Sequence, residues 1–216
     1  HVSLFRRAMK VIAPDVAHIV PAYHSPFKAK SPTPFRLRMK MLKLAFAGFG
    51  KNIVFDDYEL KQGGKTYTYQ LVQYLKKRYD NPEIYLLVGT DCLNDLHNWK
   101  NPGYIFDNAV VVAGKRKGYN ENPAQFNHLF LPGFFPKLSS SRVRAHILAC
   151  GDVPDTVPEI IAPIIRENNL YGLDVHTWLK AHLKPNRYLH SKNVAEMAAA
   201  FSDIYDVNVE LAVKAG

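Results

Sequence analysis

Three serines and two arginines open a helical pattern in KLSSSRVR, residues 137–144. Free backbone N–H groups at a helix start, hydroxyls beside them and an arginine one turn in are the groups that hold a phosphate. Arg142 and Arg144 are two apart, so they do not share a helix face, and at most one points at a given ligand. Arg144 is the candidate, with Ser139 and Ser141. The plainer alternative is that Ser139 or Ser140 only caps the helix.

A second group lies in LLVGTDCLNDLHNW, residues 86–99. Gly89 permits close backbone approach to a ligand. Asp91 offers a carboxylate to ribose hydroxyls, as acidic residues after strands do in nucleotide folds, or it is a helix N-cap. Trp99 offers a ring for stacking, or it is ordinary core. GGKTYTYQL (63–71) sets a lysine and the hydroxyls of Thr66, Tyr67 and Thr68 before a helix, where a carboxylate or phosphate would find donors. VVAGKRKGY (111–119) puts three cations past a strand end, and PAYHSPFKAK (21–30) brings His24, Lys28 and Lys30. No Ser-His-Asp order, Walker A loop or GxGxxG occurs. Groups that bind and polarise phosphates, with no evident nucleophile, suit direct phosphoryl-type transfer by positioning and charge neutralisation.

The elements needed to position these groups alternate. Helices are expected at 2–12, 33–47, 66–79, 140–151 and 158–169, the last despite Pro163. Strands are expected at 17–21, 53–60, 84–91, 108–114 and 127–135. Such alternation predicts an α/β fold, a doubly wound Rossmann-like parallel sheet whose ligands sit beyond the carboxyl ends of the strands. Near residue 172 the pattern becomes wholly helical. Two parts are therefore expected, 1–172 and a short all-α segment, 173–216. A doubly wound domain begins with a strand, yet His1 leads straight into a helix; a first strand before His1 is expected to be missing.

Charge divides in the same place. The net charge of the chain is +9. Residues 1–172 hold 23 Lys/Arg against 14 Asp/Glu, and residues 173–216 hold five of each, so the positive field belongs to the first part. Phosphate-bearing partners are the natural class. Nucleic acid ranks below small nucleotides, because the basic residues are spread over many loops and not interleaved with aromatics on one face. No apolar run approaches membrane-spanning length, and no secretion signal is visible. With only Cys92 and Cys150, a disulfide framework is not expected and a reducing cytoplasm is the default.

Taken in order, several motifs resemble bacterial nicotinate-nucleotide adenylyltransferase, of the HxGH nucleotidyltransferase superfamily. They are the strand followed by PxxxxPxK, DDYEL with the TYT helix start, LLVGTDCLNDLHNW, VVAGKRKGY and LSSSRVR, and they cover about residues 1–172. LSSSRVR is similar to the family's ISxTxxR, with Leu138 for Ile and Ser141 for Thr. The resemblance implies adenylyl transfer from ATP, with Mg²⁺, to nicotinic acid mononucleotide, giving deamido-NAD and pyrophosphate. It implies that Ser139, Ser141 and Arg144 hold ATP phosphates, and that Gly89 and Asp91 meet the ribose side of ATP. Trp99 would stack on the pyridine ring, Thr66 to Thr68 would meet its carboxylate, and Lys28 and Arg116 would lie near the mononucleotide. His1 is similar to the second histidine of HxGH, which steadies the transition-state phosphate.

The first histidine and the glycine-rich turn of that motif are absent, and Phe27 stands where many relatives have a histidine before lysine. A chain beginning at His1 is therefore expected to bind ATP weakly. Sister transferases acting on nicotinamide mononucleotide or phosphopantetheine, or an inactive nucleotide-binding module, are the alternatives. The tail from Asn186 to Gly216 resembles the opening of an HD-type metal phosphohydrolase domain. His190 of RYLHS would be one ligand of iron or manganese once such a domain is completed; its later His-Asp pair and final Asp are not in this sequence.

Overall fold

A computed structural model describes residues 1–23, 33–116, 127–136 and 138–215. It contains two compact units, His1–Lys137 and Leu138–Gly216. The division between them falls ahead of the change of pattern near residue 172, because the helix after Leu138 packs with the helices that follow it.

In the first unit, α1 (Val2–Ile12) carries Leu4 and Ala8 one turn apart, and both are buried. Strands β1 (Ala17–Ile19) and β2 (Ile53–Phe55) pair in parallel. Helix α2 (Phe35–Ala45) lies in the connection between them, as a parallel pair requires. Helices α3 (Tyr58–Gln62) and α4 (Thr68–Arg78) follow β2. A second parallel sheet has the order β3 (Tyr85–Gly89), β4 (Val110–Arg116), β5 (His128–Phe135). Helices α5 (Thr90–Asp95) and α6 (Pro102–Asn108) connect β3 to β4.

The VVVA run of β4 is apolar throughout because both faces of its sheet are covered. Val111 and Ala113 pack with Val88, Leu93 and Leu96 on one face; Val112 packs with Leu4, Ala8 and Leu131 on the other. Side chains alternate across a strand, and here each parity meets its own helical layer. The α/β class with parallel strands is as expected, but the strands lie in two separate sheets.

Local differences from the expected elements have local causes. The strand expected over 53–60 stops at Phe55, because the Asp56 carboxylate accepts a hydrogen bond from the Tyr58 N–H (3.0 Å) and turns the chain into α3. The strand expected to reach residue 91 stops at Gly89, the N-cap of α5. Helix α4 opens on a capping box. Tyr67 is the N-cap, and the Gln70 side chain reaches back to accept its N–H at 2.9 Å.

The second unit is helical: α7 (Ser140–Cys150), α8 (Ala162–Glu167), α9 (Leu173–His182), α10 (Pro185–Ile204) and α11 (Val209–Ala215). Pro163 is no breaker, since it lies in the first turn of α8, after a 3₁₀ turn at Glu159–Ile161. Ala145 and Ala149 of α7 meet Ala195 of α10 and Val213 of α11, and these small side chains let three helices approach closely. His176 of α9 is buried: one ring nitrogen lies 2.8 Å from the Leu148 carbonyl and the other 3.0 Å from the Tyr188 hydroxyl.

Candidate functional site

The residues singled out from sequence fall in both units. In the first unit, Gly89 ends β3 and pairs in register with Gly114 of β4. The Thr90 hydroxyl donates to the Gly114 carbonyl at 2.9 Å, which ties the two strand ends together. Asp91 follows in the first turn of α5, half-buried, and Gly89 takes the N-cap position in its place. Trp99 packs its half-buried ring against the core of Val88, Leu93 and Leu96.

Thr66 stands just before α4, only 5% exposed, and its hydroxyl has no hydrogen-bond partner among the described residues. A buried hydroxyl left unpaired costs about 1–3 kcal/mol. Tyr67 and Thr68 beside it are half-buried. His1 occupies the N-cap position of α1, and its side chain does not cap that helix. Lys28 lies outside the described residues, as does the side chain of Arg116, whose backbone closes β4.

In the second unit the serine-rich stretch is divided between two tasks. Ser139 is the N-cap of α7, and its Oγ accepts the Arg142 N–H at 3.2 Å. The capping alternative is therefore real for this residue, though its hydroxyl proton is still available to donate. Ser141 and Arg144, three apart, share a face: Arg144 Nη2 donates to Ser141 Oγ at 3.2 Å. Arg142 points elsewhere, as the spacing requires, into a cavity of about 450 Å³ lined also by Ser139, His146, Cys150 and Glu196.

Arg144 has a further partner that the sequence did not suggest. Glu210, in the first turn of α11, grips its guanidinium edge-on. Nε donates to Oε2 at 3.2 Å and Nη2 to Oε1 at 2.5 Å. Those bonds hold the Glu210 carboxyl below the usual carboxylate range, and the Ser141 hydroxyl adds to the effect. The only hint in the sequence is an acidic residue at a helix start, 66 positions away, and spacing alone cannot connect the two.

His190 is exposed on α10 and belongs to no cluster of three metal-type side chains among the described residues. Such a cluster does form at His146, Cys150 and Asp152. There one ring nitrogen of His146 faces Asp152 (3.1 Å) and the other faces the Cys150 thiol (3.7 Å). Both nitrogens are occupied in a hydrogen-bonded chain. Burial, together with the neighbouring Glu196, pushes the thiol up to about 11, so Cys150 is a protonated and unreactive cysteine.

Parallel α/β sheets with donors gathered after their strands in the first unit, and a helix that opens on serines and an arginine in the second, are features of the nucleotide-binding class of protein. The sequence matches the cytidylyltransferase-like family over residues 1–146, and the chain belongs to that family. It is 29% identical over 183 residues to the probable nicotinate-nucleotide adenylyltransferase of Clostridium tetani, an alignment spanning 79% of this chain and 91% of that one. It is 32% identical over 138 residues to the Aquifex aeolicus protein of the same name, across 64% of this chain and 79% of that one. Nicotinic acid mononucleotide adenylyltransferase from Plasmodium falciparum, solved in complex with APC, shares the fold. The TM-score is 0.65 at 20% identity, covering 79% of this chain and 89% of the other.

Proposed function

We propose that this chain transfers the adenylyl group of ATP to nicotinic acid mononucleotide, a step of NAD biosynthesis. A phosphate oxygen of the mononucleotide attacks the α-phosphorus of ATP. A new P–O bond forms as the bond to the β-phosphate bridging oxygen breaks; the products are deamido-NAD and pyrophosphate. The observation that carries the reading is the Ser141–Arg144 pair at the start of α7. It is an assembled anion clamp, and it already holds a carboxylate. The Clostridium tetani and Aquifex aeolicus relatives, each named a probable nicotinate-nucleotide adenylyltransferase, supply the reaction that such a clamp would serve.

In this reading Arg144 and Ser141 bind and neutralise the triphosphate, with Ser139 contributing its hydroxyl proton while it caps α7. His1 steadies the transferring phosphate from the start of α1. Gly89 and Asp91 meet the ribose side of ATP. The unpaired hydroxyl of Thr66 fits a carboxylate acceptor such as nicotinate, with Tyr67 and Thr68 beside it. Trp99 stacks on the pyridine ring, and Lys28 and Arg116 lie near the mononucleotide. Mg²⁺ brought in with ATP would lower the charge of its phosphates, alongside Arg144 and Ser141.

The residues from 173 on we read as resembling the opening of an HD-type domain, a reading supported by their helical character and by His190 on α10. With His190 present but the later His-Asp pair and final Asp not in this sequence, no stoichiometric iron or manganese is expected on these residues, and metal bound at one per chain and lost in His190→Ala would overturn that reading.

The test of the main reaction is pyrophosphate release with ATP and Mg²⁺, run in parallel with nicotinic acid mononucleotide, nicotinamide mononucleotide and phosphopantetheine. Turnover confined to the nicotinate acceptor is expected. Turnover with phosphopantetheine alone would transfer the site to a sister reaction.

A further inference from the structure

Glu210 is placed on the clamp by packing, not by chance contact of two long side chains. Asn208 Oδ1 accepts the N–H groups of Glu210 (3.0 Å) and Leu211 (3.1 Å), which fixes where α11 begins. Val213, buried, and Val209 then seat α11 against Ala145 and Ala149 of α7 and Ala195 of α10. This arrangement brings a carboxylate onto the face of α7 that carries Ser141 and Arg144. Both side chains of the ion pair are about three-quarters covered.

The chemistry is that of a phosphate ligand. A guanidinium presents parallel N–H groups that match two oxygens of a carboxylate or of a phosphate equally well. With Glu210 in place, the Nε–Nη2 edge of Arg144 is filled, and the charge of the pair sums to zero. A triphosphate approaching the same edge would meet a carboxylate of its own sign.

We propose that Glu210 is an internal ligand of the phosphate clamp, a built-in phosphate mimic on α11 with which ATP must compete. This rests on the reading of Ser141 and Arg144 as ATP-binding residues. Binding of ATP at this edge turns Glu210 out, and anything that holds α11 against α7 lowers the affinity for ATP. A ligand that binds one of two arrangements shifts the balance only by its differential affinity, so removing the internal competitor strengthens the external one.

The experiment uses the full chain and two probes, ATP with Mg²⁺ and inorganic tripolyphosphate, titrated calorimetrically into wild type, Glu210→Gln and Arg144→Ala. Glutamine keeps the length and shape of the side chain but removes its charge. An ion pair of this exposure has a strength equivalent to up to about a fivefold change in binding. The expected result is ATP and tripolyphosphate both binding Glu210→Gln about fivefold more tightly than wild type, and Arg144→Ala binding both more weakly. Weaker binding to Arg144→Ala with no gain in Glu210→Gln would overturn the mimic and leave the clamp standing. Unchanged binding to Arg144→Ala would overturn the clamp itself, and the mimic with it.

Discussion

Leu4 of α1 occupies the space that a side chain on Gly114 would need. A Cβ built at Gly114 would lie 2.2 Å from Leu4 Cδ1 and 2.9 Å from the Phe135 ring. The helix that begins at His1 is therefore pressed onto the carboxyl end of β4, and only glycine allows that approach. Leu4 and Phe135 belong to one packed cluster with Ala8, Val112 and Leu131, so neither can retreat freely. Gly114→Ala is expected to destabilise the fold by about 1–3 kcal/mol, the usual effect of overpacking a dense core. Urea denaturation of the two proteins checks it; equal midpoints would mean that α1 can shift at no cost.

A second relationship governs pH dependence. His18 Nδ1 of β1 lies 2.9 Å from Asp56 Oδ2 and its Nε2 lies 2.8 Å from the Tyr79 hydroxyl, so both ring nitrogens are engaged. Arg78 Nη1 also donates to Asp56 Oδ2 at 3.2 Å. Burial lowers the His18 pKa below its ordinary 6.5, against the opposing pull of Asp56 and with a smaller push from Arg78. The unfolded chain then binds more protons than the folded one once pH falls below 6.5. This stability contribution is present above 6.5 and is lost as pH falls through the lower, folded value. Urea midpoints should drop between pH 7.5 and pH 5, and His18→Gln should flatten that part of the curve. A curve unchanged by the substitution would remove His18 as its source.

Asp56 should matter more than its partners. It is 5% exposed and accepts from His18, Tyr74, Arg78 and the Tyr58 N–H. Asp56→Ala removes the common acceptor and strands the donors, an effect of about 3 kcal/mol. A loss under about 1 kcal/mol in thermal or urea unfolding would mean that water replaces the carboxylate.

Much of this organisation was legible in the sequence, and the failures have a pattern. The strand expected at 108–114 and the helix expected at 2–12 were legible because a short apolar run marks a strand covered on both faces and helical spacing marks a helix. KLSSSRVR announced a helix start because capping is local. Asp56 was read as part of a strand, since DDYEL continues IVF with bulky residues. A single side-chain bond to Tyr58 N–H overrode that propensity. Glu210 went unread because its meaning comes from a partner 66 residues away, set by the packing of three helices. Thr66 was legible as a hydroxyl but not as a buried, unpaired one; burial there depends on what surrounds α4.

Thr66→Val separates binding from stability. The substitution replaces a buried, unpaired hydroxyl with a methyl of similar shape, so no folded-state hydrogen bond is lost. Stability should stay within about 0.5 kcal/mol of wild type or rise slightly. KM for nicotinic acid mononucleotide should rise about tenfold, the effect of one hydrogen bond to a charged group, with the KM for ATP unmoved. Loss of stability with an unchanged KM would make Thr66 a structural residue only.

The serines of α7 should divide in the same way. Ser139 Oγ accepts the Arg142 N–H as the N-cap, so Ser139→Ala should cost about 1 kcal/mol of stability. Ser141 makes no cap; its hydroxyl sits with the Arg144 guanidinium and the Glu210 carboxylate on a partly solvated face. Ser141→Ala should therefore leave unfolding within about 0.5 kcal/mol of wild type. It should lower kcat/KM for ATP about tenfold, because one donor to a charged phosphate is lost. Thermal unfolding and pyrophosphate release, measured on both variants, give the two axes. If Ser139→Ala proves the kinetic variant and Ser141→Ala the unstable one, the division of labour is reversed, and the cap geometry at Arg142 is not what holds α7 in place.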